Sequence, residues 1–522
     1  MYYDNKILIG RSGDEDIYIY PSMANRHGLI AGATGTGKTI TLKVLAESFS
    51  DAGVPVFLAD AKGDLAGMIA AGEMNENVSK RVEKLSLNDK GFSLKAYPAT
   101  FWDVFQESGL ALRTTVSEMG PLLLSRVLGL NDTQSDIMTI IFRIADDENL
   151  LLIDTKDLKA MMNHISEKAD EYSMKYGNMA KQSLAAIMRS IVALEAEGGE
   201  IFFGEPAIDI KDWFIPELDG RGRIQILDCQ KLMQKPTMYA TFMLWLISEL
   251  FEMLPEAGDL DKPKIVFFFD EAHMLFDDAP KALLTKIEQM VKLIRSKGVG
   301  IYFVTQNPKD VPDSVLAQLG NKVQHALRAY TPAEQKSIKA AAQSFRENPE
   351  INTIEALQAL GTGEALISVL DEDGVPTIVK QAKILPPQSK MGAIADNDRN
   401  LAIMNDRLNF KYKDFFDRDS AFEFLQRRAE VEEKMAALEA EKLALEKERL
   451  AREKEAEKER LRLEREAQKE RERREREYQK QLEREEREAA RERERRQKEM
   501  DKFGRKVTQS FARGLFDTLM RR

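Results

Sequence analysis

The sequence of 522 residues contains a single cysteine, Cys229, which excludes an intrachain disulfide and a cysteine-rich zinc site. It also lacks an apolar run near the roughly 18 residues that a membrane-spanning helix needs. The longest apolar stretches, Thr241–Phe251 and Ile265–Phe269, are too short or are interrupted. The first residues lack the basic stretch and apolar run of a secretory signal. These absences exclude collagen-like, disulfide-stapled and integral membrane classes, and we expect a cytoplasmic protein with no integral membrane association.

The sequence also lacks an excess of positive charge. Its formal net charge is −10, yet residues 431–500 contain 23 basic and 23 acidic side chains and are neutral. The remaining 452 residues therefore carry the whole negative balance. This composition does not indicate a polyanionic partner, so a nucleic-acid channel would require a local basic patch.

Strand-like and helical patterns alternate along most of the chain. Hydrophobic residues make up 43% of the sequence, which allows a large core, and the length suggests two or three units. Strands that alternate with helices predict an α/β fold with a mostly parallel sheet covered on both faces. Residues 6–20 predict a small hairpin. The other strand-like runs are Gly28–Ala31, Pro55–Asp60, Arg223–Cys229, Lys264–Phe269, Val299–Thr305, Lys322–Arg328 and Glu364–Leu370.

The interval between Asp60 and Arg223 is too long for one crossover and contains several helical patterns. We interpret residues 100–215 as a helical insertion; the alternative is a set of additional covering helices. The predicted division of the chain is a β-hairpin (1–25), an α/β core in two parts (26–99 and 216–390), the helical insertion (100–215), a connecting segment (391–426), a charged helix or coiled coil (427–500) and a basic amphipathic tail (501–522).

The charged segment has 46 charged residues among the 70 from 431 to 500, and it has no glycine or proline. Glutamate precedes lysine or arginine at helical spacing in many places, which predicts an exposed helix. Two interpretations remain open. One is a single solvated helix that acts as a spacer. The other is a coiled coil with a partner, whose short apolar seam would contain Met435, Leu438, Leu443, Leu445, Leu450 and Leu461.

The last 22 residues return to an amphipathic pattern and contain six basic and two acidic side chains. Such a segment can dock on an acidic membrane surface, on DNA or on protein. We expect docking on protein. The apolar residues that recur every four positions are Phe503, Val507, Phe511, Leu515 and Leu519.

A phosphate-binding loop is predicted by a match to the pattern G-x-x-x-x-G-K-[ST] between a strand-like run and a helical pattern. Glycines let successive backbone N–H groups point at phosphate oxygens, and a helix N terminus adds positive potential. We expect Lys38 to contact the β- and γ-phosphates and the Thr39 hydroxyl to bind Mg²⁺; the alternative is an ordinary glycine-rich turn. The matching residues are Gly32, Ala33, Thr34, Gly35, Thr36, Gly37, Lys38 and Thr39.

Two further strand ends carry polar side chains suited to the same chemistry. The apolar run Ile265–Phe269 ends in Asp270 and Glu271. We expect Asp270 to lie beside Mg²⁺ and Glu271 to polarise a water for attack on the γ-phosphate. Simple GTPases and nucleotide kinases usually lack the adjacent glutamate, so the pair favours an ATP motor over surface charge. Gln306 follows a third strand, and we expect its side chain to sense the γ-phosphate. The alternative is that its amide only caps the loop.

Together these motifs resemble the HerA/FtsK superfamily of P-loop ATPases, and most closely its bacterial HerA-like helicase-domain proteins. The resemblance covers about residues 5–390. It rests on Arg26-His27 before the phosphate loop, Phe-Asp-Glu-Ala-His at 269–273 and Thr-Gln-x-Pro at 305–308, and the segment 57–64 also matches. It implies a RecA-like core, ATP hydrolysis, hexameric rings and translocation of double-stranded DNA.

The same resemblance implies that an arginine from a neighbouring subunit completes each site. Arg295 and Arg328 are the candidates, with Arg295 favoured; a surface salt bridge is the alternative for either. Asp-Glu-Ala-His also occurs in DEAH-box helicases, but their motif Gln-x-x-Gly-Arg-x-Gly-Arg does not occur in this sequence.

The function that follows is that of a Mg²⁺-dependent ATP hydrolase forming a ring motor on DNA. The alternative is an ATP-gated assembly scaffold that binds a protein partner through residues 427–522.

Overall fold

The computed structural model describes residues 1–276, 281–328 and 331–516. Residues Met1–Arg427 form one compact unit, and the chain from Arg428 onward forms a second. No helix among the described residues has both the length and the apolar character needed to cross a membrane.

The described part of the first unit contains one mixed sheet of thirteen strands, in the order β1-β2-β13-β12-β11-β4-β10-β9-β5-β8-β6-β7 with β3 beside β2. The strands are β1 (Tyr2–Tyr3), β2 (Lys6–Ser12), β3 (Glu15–Ile19), β4 (Gly28–Ala31), β5 (Val56–Asp60), β6 (Ala99–Asp103), β7 (Leu110–Ala111), β8 (Ile224–Asp228), β9 (Ile265–Phe269), β10 (Val299–Thr305), β11 (Asn321–His325), β12 (Glu364–Ser368) and β13 (Lys380–Ile384).

The strands from β11 to β7 in this order pair in parallel, and the antiparallel pairs lie at the other end of the sheet. The expected mostly parallel sheet is therefore confirmed. In the register, Ala31 of β4 lies opposite Thr305 of β10, and Phe269 of β9 lies opposite both Phe303 and Ala59. The carboxyl ends of β4, β10, β9 and β5 consequently meet at one edge of the sheet.

The described helices are α1 (Lys38–Asp51), α2 (Glu76–Lys84), α3 (Val116–Val127), α4 (Asp132–Asp147), α5 (Thr155–Glu167), α6 (Ala169–Tyr176), α7 (Lys181–Glu197), α8 (Gly199–Phe202), α9 (Pro236–Met253), α10 (Lys281–Ile294), α11 (Asp313–Leu316), α12 (Pro332–Gln343), α13 (Thr353–Ala359), α14 (Asp396–Met404), α15 (Asn409–Tyr412) and α16 (Ala421–Phe516).

Apolar side chains cover both faces of the sheet, because successive residues of a strand point to opposite faces. Along β9, Val266 and Phe268 belong to a core that includes Phe49 of α1. Phe267 and Phe269 belong to a second core that includes residues of α9 and of the helical insertion. The continuous apolar run in β9 therefore reflects burial from both sides.

Helices α3 to α7 lie between β7 and β8, within the interval interpreted as a helical insertion, and its status as a separate domain stays a prediction. Capping boxes begin α3, α4 and α5 at Thr115, Asn131 and Asp154. However, the predicted interval 100–215 also contains most of β6 and all of β7, which extend the sheet beyond β8. Both strands were missed because β7 has only two residues and β6 has only five, of which Thr100 and Asp103 are polar. The boundaries proposed for the domains stay a prediction.

The predicted charged helix is confirmed as part of α16, which begins at Ala421 and has 96 residues. Most of the described ion pairs of this helix join exposed side chains four positions apart, so each contributes little to stability. A coiled coil stays a prediction, and the apolar side chains of its proposed seam are exposed. The described side chains end before Val507, Phe511 and Leu515, and Leu519 lies outside the described residues. Examples of the pairs are Arg449–Glu453, Arg462–Glu466, Arg473–Glu477 and Lys498–Glu494.

Candidate nucleotide site

The predicted phosphate loop joins the end of β4 to the start of α1. Gly32, Gly35 and Gly37 have φ angles of 153°, 76° and 116°, which side-chain-bearing residues rarely adopt. A Cβ atom at Gly32 would lie 2.5 Å from the Cβ of His325, so a side chain does not fit there. No described side chain caps the N terminus of α1. The first backbone N–H groups of this helix can therefore receive an anion, as phosphate binding requires.

Backbone hydrogen bonds fix the loop to the neighbouring strands. The Gly32 N–H donates to the Thr305 carbonyl at the end of β10 (3.2 Å), and the Ala33 N–H donates to the Ala326 carbonyl just beyond β11 (2.9 Å). The curled shape is thus held by the two strands that flank β4, before any ligand is considered.

Lys38 lies inside the curl of this loop. Its Nζ donates to the carbonyl oxygens of Gly32 (2.7 Å) and Ala33 (3.2 Å). Burial lowers the pKa of Lys38, while the nearby Glu271 carboxylate opposes that change. An ammonium group held by oxygen atoms among the glycines is placed to bind phosphate oxygens, so its position fits the predicted role.

Asp270 directly follows β9 and is buried. Burial, followed by the adjacent charge of Glu271, raises the pKa of Asp270 to about 6. A bound cation would offset both effects. No group of three or more His, Cys, Asp and Glu side chains in the described parts of the chain can hold a metal. Mg²⁺ that keeps water and phosphate ligands would need only one or two protein ligands, and Thr39 and Asp270 stay the predicted ones.

Glu271 lies between polar groups that follow the two strands next to β9. Its Oε1 accepts from Lys62 Nζ at 2.7 Å, beyond β5. Its Oε2 lies 3.4 Å from Gln306 Nε2, beyond β10, and 3.4 Å from His273 Nδ1. Although burial alone would raise it, the hydrogen bond and charge of Lys62 bring the pKa of Glu271 below its usual value. The carboxylate is thus ionised and directed by donors on both sides.

The backbone at Glu271 is left-handed, with φ 48° and ψ 50°. For a residue with a side chain, such a conformation costs of order 1–3 kcal/mol. It persists where the surroundings enforce it, and it is common at functional sites. Here it turns the chain sharply at the end of a buried strand and presents the carboxylate at the sheet edge.

A cavity of about 390 Å³ opens beside the phosphate loop. Its lining includes Ala33 and Thr34 of the loop, His273, Gln306 and Arg328. The cavity therefore brings the first residues of the phosphate loop together with the predicted sensor and one of the two candidate arginines.

The two candidate arginines lie at opposite ends of the parallel strands, Arg328 at the carboxyl ends and Arg295 at the amino ends. Arg328 lies three residues beyond β11, not within it as the sequence pattern predicted, and its guanidinium donates to the Gln358 carbonyl at 3.0 Å. Arg295 precedes β10 and lies near Arg26, and burial followed by the charge of Arg26 lowers the pKa of Arg295. The structure therefore places Arg328, but not Arg295, in the site of its own chain.

Sequence reasoning missed Lys62 and His325 as parts of this site. Lys62 lay within the matched segment 57–64 but received no role. His325 lies beneath the loop, where its Nδ1–H donates to the Glu364 carbonyl (2.9 Å) and its Nε2 accepts from the Thr41 hydroxyl (2.8 Å). Burial lowers the pKa of His325 to about 4, so it is a neutral support. A lone histidine in a strand offered no signal for this contact.

The family model of the helicase HerA-like C-terminal domain matches residues 5–522. This chain belongs to that family. The resemblance inferred from the three motifs is therefore confirmed, and the chain is a P-loop ATPase with a RecA-like core. Its phosphate loop, carboxylate pair and sensor strand meet at one sheet edge as that fold requires.

Relatives and structural neighbours were found at low identity. The DNA double-strand break repair helicase HerA of Sulfurisphaera tokodaii is 22% identical over 415 residues, which are 77% of this chain and 73% of that protein. The same enzyme of Sulfolobus acidocaldarius is 20% identical over 403 residues, 76% of this chain and 70% of that protein. Among solved structures, plasmid coupling protein TrwB gives a TM-score of 0.48 at 12% identity, covering 72% of this chain and 89% of TrwB. VirB4 of Thermoanaerobacter pseudethanolicus gives 0.45 at 16% identity, covering 73% and 96%.

The arrangement divides the chemistry of hydrolysis among a few side chains. Mg²⁺, when bound, neutralises charge on the phosphate oxygens. In the predicted division, Lys38 and the N–H groups of the loop would hold the phosphates, and Thr39 and Asp270 would hold the metal ion. Glu271 would take the proton of the attacking water, and Gln306 would sense the γ-phosphate from the neighbouring strand.

Proposed function

We propose that the protein is a Mg²⁺-dependent ATP hydrolase that forms a ring, with six subunits as the expected number, and translocates double-stranded DNA. The observation that carries the proposal is the contact of Glu271 with Gln306 at the sheet edge that also holds the phosphate loop. This geometry suits an ATPase that senses its γ-phosphate. The DNA substrate is supported by family membership and by the relatives named as DNA repair helicases. A cytoplasmic location stays a prediction from the sequence.

The test is ATPase activity of the full chain, taken from a sizing-column fraction, with and without duplex DNA. We expect hydrolysis that needs Mg²⁺, an oligomeric elution position and strong stimulation by duplex DNA. Lys38→Ala is the matched inactive control, because it deletes the ammonium group inside the phosphate loop. Turnover in Lys38→Ala equal to the wild type would contradict the site, and hydrolysis indifferent to DNA would contradict the substrate.

A second function, an ATP-gated assembly scaffold, is favoured by the exposed charged surface of α16. This helix is long and carries a pattern of alternating charge, and both properties suit binding of a protein partner. The ATPase measurement separates the two functions. A scaffold would change its oligomeric state with nucleotide while its hydrolysis stayed unaffected by duplex DNA.

We further propose Arg295 as the arginine that acts on the neighbouring subunit. Its guanidinium forms no hydrogen bond or ion pair with the residues that the structure describes, whereas Arg328 is bonded to the Gln358 carbonyl. Arg295 lies at the amino ends of the parallel strands, whereas the phosphate loop of its own chain lies at their carboxyl ends. This position suits action on the site of a neighbouring subunit.

Mixing of two inactive variants tests this role of Arg295. Arg295→Ala should be nearly inactive alone, and mixing it with Glu271→Gln should restore activity at interfaces where an intact Glu271 site meets an intact arginine. The same mixture with Arg328→Ala is the comparison, and restoration only with Arg328→Ala would move the role to that residue. Mixtures that never exceed the dilution expected from inert subunits would refute a trans-acting arginine.

A further inference from the structure

Lys62 forms a short ion pair with the catalytic carboxylate, and no motif assigns it a role. Its Nζ lies 2.7 Å from Glu271 Oε1. The two residues follow β5 and β9, which are adjacent parallel strands with Ala59 opposite Phe269. Lys62 therefore reaches Glu271 directly across the sheet edge.

The backbone that carries Lys62 is fixed by its own strand end. The Asp60 carboxylate accepts the N–H groups of Lys62 (3.2 Å) and Gly63 (2.8 Å) through Oδ1, and that of Leu65 (3.1 Å) through Oδ2. A buried carboxylate with three such bonds holds the turn in one shape. The Lys62 side chain thus starts from a rigid base and not from a mobile loop.

The two oxygens of Glu271 are held differently. Oε1 has the short charge-assisted bond to Lys62, whereas the contacts of Oε2 with the described residues Gln306 and His273 are longer, at 3.4 Å. Oε2 also faces the β10 side, which lies between β9 and the strand of the phosphate loop. The oxygen that is bound least tightly therefore lies on the side of β9 that faces β10 and the strand of the phosphate loop.

We propose that Lys62 is a positioning residue for hydrolysis: it fixes Oε1 of Glu271, so that Oε2 is the oxygen that takes the proton from the attacking water. The ammonium group also places one positive charge beside the adjacent carboxylates Asp270 and Glu271. The inference rests on one part of the proposed function, which is that Glu271 is the base of ATP hydrolysis. It does not depend on whether the substrate is DNA.

The test measures basal turnover without DNA, together with the affinity for ATP, in full-length variants. Lys62→Ala and Lys62→Met should lower kcat at least about tenfold, because a misplaced base loses its alignment with the water. The Kd for ATP should stay within about twofold. Lys62→Arg, which keeps the charge and a donor, should regain most of the lost rate.

A double variant shows whether Lys62 acts through Glu271. In the Glu271→Gln background, Lys62→Ala should produce no further loss, since the group that Lys62 positions is already gone. Lys231→Ala is the matched control. Lys231 follows β8, the strand next to β5, and pairs with Glu107 at 2.5 Å, and its side chain is 52% exposed against 46% for Lys62. This control should hydrolyse ATP at the wild-type rate.

Several results would overturn the inference. Wild-type or faster turnover in Lys62→Ala would show that the ion pair is dispensable or restrains the site. A loss of ATP affinity as large as the loss of kcat would make Lys62 a phosphate ligand. An additional loss in the double variant, or no recovery with Lys62→Arg, would show that Lys62 does not act by holding Glu271. Normal turnover in Glu271→Gln would instead remove the base from the proposed function and the inference with it.

Discussion

The α/β unit and the part of α16 that lies in the second unit are stabilised by opposite means. In the sheet, each residue of β9 is buried, and the side chains alternate between two apolar cores. In α16 from Ala429 onward, the described side chains are exposed, and the ion pairs join neighbours on the same helix. Burial makes an interaction specific and strong, whereas exposed charge pairs are weak and interchangeable. We therefore expect single changes to matter greatly in the first region and little in the second.

The largest expected effect is on the free energy of unfolding of the core. Phe268 is fully buried and packs against the rings of Tyr302 (centroids 5.1 Å apart) and Phe49 (6.2 Å). Phe268→Ala should destabilise the first unit by about 3–5 kcal/mol, through lost burial and the cavity left behind. Chemical denaturation measures this.

The matched change in the helix is Leu450→Ala, at a side chain that is exposed. It should alter stability by less than about 0.5 kcal/mol. A loss above about 1 kcal/mol would break the comparison, because it would indicate that Leu450 is buried in a coiled coil.

The next effect is on chemistry at the sheet edge. Glu271→Gln keeps the size of the side chain and removes the base, so turnover should fall at least about 100-fold while ATP and Mg²⁺ still bind. Single-turnover hydrolysis and nucleotide binding measure the two quantities. Glu494→Gln in the helix, at a side chain that pairs with Lys498, should leave both unchanged. Normal hydrolysis by Glu271→Gln would place the base elsewhere.

A smaller effect concerns pH and the buried histidine of the core. His27 Nε2–H donates to the Val291 carbonyl (2.8 Å), and its Nδ1 accepts from the Ile301 N–H (3.0 Å). Burial lowers the pKa of His27 to about 4, so between pH 6.5 and 4 the unfolded chain binds a proton that the folded chain does not. Stability is therefore complete above pH 6.5 and decreases as the pH falls through this window, by about 2 kcal/mol at pH 5 from this group.

The pH test compares wild type with His27→Gln. The variant cannot take up that proton, so its stability should change less between pH 7 and 5, whatever its absolute value. An identical pH dependence in the two proteins would refute the contribution of His27.

The smallest effect is expected for removal of the charged helix. Ala421 and Leu425 are buried in the first unit, so the chain should be cut after Arg427 and not before α16 begins. Truncation there should leave the melting temperature of the core and its basal ATPase activity nearly unchanged. Partner binding, or stimulation by a partner, should be lost. A lower melting temperature or a smaller oligomer would show that the removed segment stabilises the core or the ring.

Patterns that depend on near neighbours in the chain were predictable. The phosphate loop, the β9 run with Asp270 and Glu271, and the β10 run with Gln306 are local signals, because glycine content and apolar runs act over a few residues. The parallel sheet followed from the alternation of strands and helices. The helical state of residues 427–500 followed from charge spacing and the absence of glycine and proline.

The tertiary structure decided what depends on strand order. Lys62 and Glu271 are 209 positions apart and meet only because β5 pairs with β9, and Arg328 enters the site only because β11 pairs with β4. The short strand β7 could not be predicted from the sequence, because two residues are too few to show an alternating pattern. By itself, the sequence determined which side chains have the chemistry for ATP hydrolysis. Only the pairing of distant strands decided which of these side chains are in contact. The reason is that the energy of strand pairing is distributed over whole strands, so no single segment of the sequence reveals it.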